Sequence, residues 1–236
     1  VPSACWVAGS NAGEVLRPRW RPAMIKGLVA QGLPLAVVTL MISLETNIPR
    51  YFVDYQLGLA ALGLFGAVAA LITAGGTFTR AMNQVASPRL AAMYHSGDSA
   101  GFRRMLGRIL AAYLVLGLLG LAMVPLMGRW LLNTLFGADF GPYADLLLVV
   151  MLAAAVAYLS GALTTAMISI RAIHSQLPLR LMTAATSLIA CVLLMPRWGL
   201  LGAGMALVLA KVPFVIASLV IVLRATRAGS LQPEGN

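Results

Sequence analysis

Only seven acidic and seventeen basic residues occur among 236, so the few that fall inside apolar runs are the first candidates for chemistry. An ionisable group at membrane depth costs about 2.5–3.5 kcal/mol on insertion scales and faces a cavity or a partner. Glu45 lies past the middle of the apolar run 33–53, and Lys211 lies near the middle of the run 200–223. Glu45 can bind a coupling cation or a proton, and Lys211 can attract the phosphate of an anionic substrate. The alternative is that each pairs with another polar group and only holds a helix bundle together. Arg50 and Asp54 stand four apart, a spacing that brings them onto one helical face and predicts a local salt bridge. Pro49 removes a backbone donor just before them, which predicts a kink or a broken helix and makes Arg50 a candidate cavity residue. Asp145, at the start of the run 143–168, can join Glu45 in a cation site or complement the positive end of a helix.

Enzyme chemistry has little to work with. His95 and His174 fall in connections between apolar runs, and neither has a second histidine at metal-ligand spacing. No Gly-x-Ser-x-Gly or phosphate-cradling loop is present. Cys5 and Cys191 are too far apart and too few to suggest a disulfide framework or a zinc site. The expectation is a protein that is not an enzyme and that needs no cofactor or metal.

The elements that must position these residues follow from composition. Hydrophobic residues make up 60% and charged residues 10%, against about 45–50% and 25% in soluble domains. Crossing the hydrocarbon core takes about 20 apolar residues, and six such runs are present: 33–53, 57–79, 109–127, 143–168, 177–195 and 200–223. The predicted fold class is therefore an all-α membrane protein, a six-transmembrane-helix bundle. Residues 1–32 read as a basic cytoplasmic lead-in and 224–236 as a cytoplasmic polar tail, disordered from 229 to 236. Val1 in place of Met, with no signal-peptide order behind it, reads as a piece of a longer chain. Gly66, Ala70 and Ala74 form a small-residue face suited to a close helix neighbour. Asp98 or Ser99 is the expected N-cap of the third helix. The segment 131–142 is too short and turn-rich to cross and is expected at an interface.

Basic residues set the orientation, because short loops rich in Lys and Arg stay in the cytoplasm. Arg17, Arg19, Arg21 and Lys26, then Arg80, Arg89, Arg103, Arg104 and Arg108, then Arg171 and Arg180, then Arg224 and Arg227 fall on one side. The other side holds Arg50, Arg129 and Arg197, with Trp130, Tyr143 and Trp198 at its boundary. Both termini are thus expected in the cytoplasm. The net charge of +10 finds its acidic partner in the anionic inner leaflet; no basic stripe with interleaved stacking aromatics points to nucleic acid.

Pro49-Arg50-Tyr51-Phe52, Gly58, Leu62-Gly63-Leu64-Phe65, Leu135-Phe136-Gly137 and Pro196-Arg197-Trp198-Gly199-Leu200-Leu201-Gly202-Ala203 resemble, in order and spacing, the second half of Wzx-type polysaccharide flippases. These belong to the multidrug/oligosaccharidyl-lipid/polysaccharide exporter superfamily, and the resemblance covers about residues 32–223. It implies one six-helix lobe of a twelve-helix, two-lobed transporter of the cell inner membrane, working by alternating access in surface polysaccharide or lipopolysaccharide biosynthesis. The implied cargo is an oligosaccharide linked to a polyprenyl diphosphate, which cationic Arg50 and Lys211 would suit. The implied partner is an N-terminal six-helix lobe, on the same chain or a separate one. A cation-coupled multidrug exporter and a truncated, non-transporting scaffold are the alternatives. Glu45, Arg50 and Lys211 are expected to face one shared interior.

Overall fold

The computed structural model describes the backbone of residues 22–137, 143–170 and 175–229, with side chains from residue 32 onward except 34, 35, 135, 136 and 227–229. The described residues are helical, with no strand. They form α1 (Pro22–His95), α2 (Ser99–Phe136), α3 (Ala144–Ser169) and α4 (Gln176–Gly229). All four are long and apolar enough to cross a membrane. The chain divides into two units, Val1–Ala36 and Val37–Asn236. In the first, residues 22–36 are helical. The second holds the rest of α1 and all of α2, α3 and α4.

Two of the helices are bent back on themselves at glycine. Gly58 in α1 has φ 82° and ψ 175°, and Gly199 in α4 has φ 53° and ψ −127°. Both conformations are open to glycine and strained for any residue with a Cβ. A straight helix rises 1.5 Å per residue, which would hold Ile42 and Gly76 about 50 Å apart, yet they line one cavity. The arms of α1 on either side of Gly58 therefore run back along each other. In α4 the Arg180 guanidinium lies 4.1 Å from the centroid of the Phe214 ring, which only a reversal at Gly199 allows. That reversal is tight: a Cβ on Gly202 would sit 2.5 Å from the Leu194 carbonyl oxygen.

The helix is broken at Gly58, at the boundary of the first two apolar runs, and not at Pro49. Pro49 sits within continuous helix; it deprives the Glu45 carbonyl of its helical partner, but neighbouring packing holds the helix together. Three segments outside the expected spans are also helical. Residues 22–32, expected as a lead-in, already belong to α1, and 224–229, expected as tail, belong to α4. Residues 131–136 continue α2 past Pro125, because their apolar periodicity outweighs the asparagine and threonine between them. Arg17, Arg19, Arg21, Arg171 and His174 lie outside the described residues, as do the side chains of Lys26 and Arg227.

The turn between α1 and α2 forms where the sequence predicts it. Gly97, at φ 75°, ends α1 while Asp98 N–H donates to the Met93 carbonyl at 3.0 Å and Gly97 N–H to Tyr94 at 3.3 Å, the paired bonds of a Schellman motif. The Asp98 side chain then caps α2 by accepting from Gly101 N–H at 2.8 Å. His95 occupies the last turn of α1 and is exposed.

Two apolar clusters fill the unit. One gathers Val53, Phe65, Val68, Leu146, Leu147, Val150, Cys191 and Met195 toward the Gly58 and Gly199 reversals. The other gathers Leu90, Phe102, Leu106, Tyr113, Tyr158, Met167 and Val222 toward the α1–α2 turn. Helices approach most closely at glycines other than those expected. Gly117 faces Ala155, and Gly75 faces the Tyr158 ring, whose hydroxyl donates to the Ile72 carbonyl at 3.0 Å. Gly66 meets nothing at its Cβ position, and Ala70 and Ala74 are exposed, so that small-residue face is not used among the described residues.

Replacing Gly58 or Gly199 by Ala is expected to lower stability by about 1–3 kcal/mol, seen as a lower midpoint of thermal unfolding in detergent. Gly63→Ala, at an exposed helical position with open space around it, is expected to leave the midpoint unchanged or raise it.

Candidate functional site

Between the two apolar clusters lies a cavity of about 340 Å³. Helical spacing explains its lining. Ile42, Thr46 and Arg50 fall four apart along the first arm of α1, and Ala69, Ile72, Thr73, Gly76, Arg80 and Asn83 share one face of the second. The space exists because small residues stand where bulk would close it: Gly76, Ala153, Ala157 and Gly161 are all in the wall. From α4 come Arg180 on one arm, and Leu207 and Lys211 on the other. Four cationic side chains, Arg50, Arg80, Arg180 and Lys211, therefore line the cavity, with no carboxylate among the described lining residues.

The carboxylate that answers them lies behind the wall. Glu45 is 2% exposed, and its two oxygens are divided between two cations. One accepts from Arg180 Nη1 at 3.3 Å, the other from Lys211 Nζ. Among the described residues these are the two ion pairs present. Arg180 is also buried, at 5% exposed, and is fixed on two further sides. Its Nη2 donates to Thr164 Oγ1 at 2.8 Å, and its plane lies over Phe214, a cation–π contact that strengthens as water is excluded. Its Nε has no hydrogen-bond partner. Lys211 is 18% exposed and can reach the cavity with its remaining donors.

A second polar feature borders the same space. The buried Tyr113 hydroxyl lies 2.8 Å from the Thr79 carbonyl and 2.9 Å from Asn83 Oδ1, so α2 holds the orientation of a cavity-lining amide. Asn83 itself stands beside Gly161, where a Cβ would meet its amide nitrogen at 3.6 Å.

The structure thus brings Glu45 and Lys211 into contact and places Arg50 and Lys211 in one cavity wall. Asp145 is elsewhere. It opens α3 in its first turn, is exposed, and lies with Leu57, Tyr143, Trp198 and Leu200 near the two glycine reversals, away from Glu45. The local Arg50–Asp54 salt bridge expected from their spacing is absent among the described ion pairs: Asp54 is exposed while Arg50 turns into the cavity. Arg180, expected at the cytoplasmic rim, is instead buried and bonded to Glu45. The available signal is a polar stripe at Arg180, Thr183 and Ser187, three and four residues apart on an apolar helix, all of them buried. Arg80, expected on the same side, is exposed and also lines the cavity. Cys191 is free and buried in the apolar cluster. No group of His, Cys, Asp and Glu able to hold a metal occurs among the described residues.

Comparison with known proteins adds one relative. Over 190 residues, 80% of this chain, the sequence is 26% identical to the capsular polysaccharide biosynthesis protein CapF of Staphylococcus aureus. The matched region is 48% of that protein, so the chain spans about half the length of the relative it matches. No family model matches, and no solved structure does.

Removing one partner of a buried ion pair leaves an uncompensated charge and costs about 3–5 kcal/mol. Glu45→Gln is therefore expected to lower the thermal midpoint in detergent, mostly through the stranded Arg180. Adding Arg180→Met to it is expected to regain much of the loss.

Proposed function

We propose that the chain acts in polysaccharide biosynthesis as one lobe of a membrane carrier that moves a polyprenyl-diphosphate-linked oligosaccharide from the inner to the outer leaflet. The observation that carries the reading is the sign of the cavity: four cations face it, and the nearest carboxylate, Glu45, is turned away and neutralised. A diphosphate headgroup is matched by such a wall, because charge-assisted bonds to Arg and Lys are the strong ones in a water-poor site. The similarity to a capsular polysaccharide biosynthesis protein supports a role in polysaccharide biosynthesis.

In this reading the protein crosses the inner membrane six times. Each arm of α1 and of α4 is about 20 residues or more, long enough for one crossing, with Gly58 and Gly199 turning at the outer face and both termini in the cytoplasm. Trp198 and Tyr143, exposed beside those reversals, suit an interface. The remaining wall of the cavity is supplied by a second six-helix lobe, and transport proceeds by alternating access without covalent chemistry. Arg50 and Lys211 bind the diphosphate. Glu45 is the candidate for coupling to an ion gradient; Asp145, remote from it, is a helix N-terminal charge in this arrangement.

A cation-coupled multidrug exporter of the same superfamily would be better served by a carboxylate facing the cavity. Glu45 does not face it, which weighs against that reading.

Arg50→Ala and Lys211→Ala in the full-length protein are each expected to reduce surface polysaccharide at least about tenfold, the scale of one lost charge-assisted contact of roughly 1.5–3 kcal/mol. Polysaccharide at the wild-type level from both variants, at equal protein level in the membrane, would sink the proposal.

A further inference from the structure

Glu45 is buried and is not among the residues lining the cavity, yet it is bonded to two cations that are. Lys211 and Arg180 line the cavity and both donate to Glu45 behind them. One carboxylate is thereby divided between two cations, and neither is saturated. Lys211 has two ammonium protons beyond the one given to Glu45, and Arg180 Nε is buried with no acceptor. A carboxylate free to pair fork to fork with an arginine would occupy two parallel N–H donors; Glu45 takes one because its other oxygen is committed to Lys211. The arrangement leaves cation donors in want of acceptors beside a cavity that Glu45 does not enter.

We infer that Glu45 is a resident counter-anion that competes with the cargo: a phosphate-class anion binds in the cavity by drawing Lys211 away from Glu45, and Glu45 reclaims Lys211 when the anion leaves. The inference rests on the cavity being the anion site and adds a release mechanism to it. The mobile part is the Lys211 stem, four carbons with an ammonium at the tip and partly exposed. Arg180, clamped by Thr164 and Phe214, stays in place. When Lys211 departs, Glu45 keeps Arg180 Nη1 as its partner, so its charge is not left unpaired. Glu45 thus keeps a cation partner in both states, while Lys211 exchanges one anion for another. Such near balance is useful to a carrier, since a cavity with permanently free cations would hold a diphosphate too tightly to release it. Competition also lowers the apparent affinity by the fraction of protein with Lys211 already free.

The test is binding of inorganic pyrophosphate to the full-length protein in lipid nanodiscs, measured by calorimetry for wild type, Glu45→Gln, Lys211→Gln and the double variant. The expected results are weaker binding for Lys211→Gln, binding at least about tenfold tighter for Glu45→Gln, and loss of most of that gain when both are changed. Asp54→Asn, removing an exposed carboxylate from the same arm of α1, is expected to leave the affinity unchanged. Equal affinity of wild type and Glu45→Gln overturns the competition. So does a gain that persists undiminished without Lys211, because a general change in cavity potential would do the same. Should Glu45→Gln fail to fold, Glu45→Asp retracts the carboxylate without removing its charge, and tightening in the same direction is expected; unchanged or weaker binding there overturns the inference. Absence of pyrophosphate binding in wild type and every variant overturns the anion-cavity reading itself, a result distinct from binding that ignores Glu45.

Discussion

A single buried carboxylate ties distant parts of this structure together. Glu45 comes from the first arm of α1, and its partners Arg180 and Lys211 come from the two arms of α4, so three segments distant in sequence converge on two oxygen atoms. In an apolar surround an unpaired charge is so costly that these segments are held in register wherever the rest of the bundle settles. Hydrophobic contact alone would do this poorly within a bilayer, where lipid tails are as apolar as leucine and side-chain polarity and close packing decide which helices meet. Thr164 on α3 adds a fourth segment through Arg180.

That convergence depends on the two glycine reversals. Without a fold at Gly199, Arg180 and Lys211 would lie about 45 Å apart on one rod, and without a fold at Gly58 the arms of α1 could not share a wall. Each reversal uses backbone geometry that glycine adopts freely, and each lies at the end of the bundle where Tyr143 and Trp198 are exposed. The cavity forms between the reversals and the α1–α2 turn, at the depth where small residues leave room and where the polar side chains are gathered. Tyr113 and Tyr158 span from α2 and α3 to backbone and amide acceptors of α1, holding the second arm against its neighbours without adding charge.

The positive sign of the cavity has a further consequence for how Glu45 is understood. Its burial removes it from the cavity wall and commits its charge to the framework, so the wall presents Arg50, Arg80 and the partly exposed Lys211 beside the buried Arg180. The same contact that locks three segments also offsets one of the four positive charges lining the cavity.

Much of this is legible in the residues. Apolar runs of about 20 residues dictate a helical, membrane-embedded chain, because the cost of burying backbone polar groups in hydrocarbon leaves little else. The rarity of charge within those runs singles out Glu45, Arg50 and Lys211, and Asp98 is recognisable as a cap. Pairing is not legible. Arg50 and Asp54 suggest a local bridge by spacing, but the fold sends one inward and the other to the surface. Closeness to a loop suggests a rim position for Arg180, although depth depends on where the helix starts and which face it turns, and those are set by partners 135 residues away. Sequence determines which side chains must find a partner; the tertiary structure alone decides which partner, because the long-range electrostatic and packing terms that choose it act between segments whose distance along the chain says nothing of their distance in space.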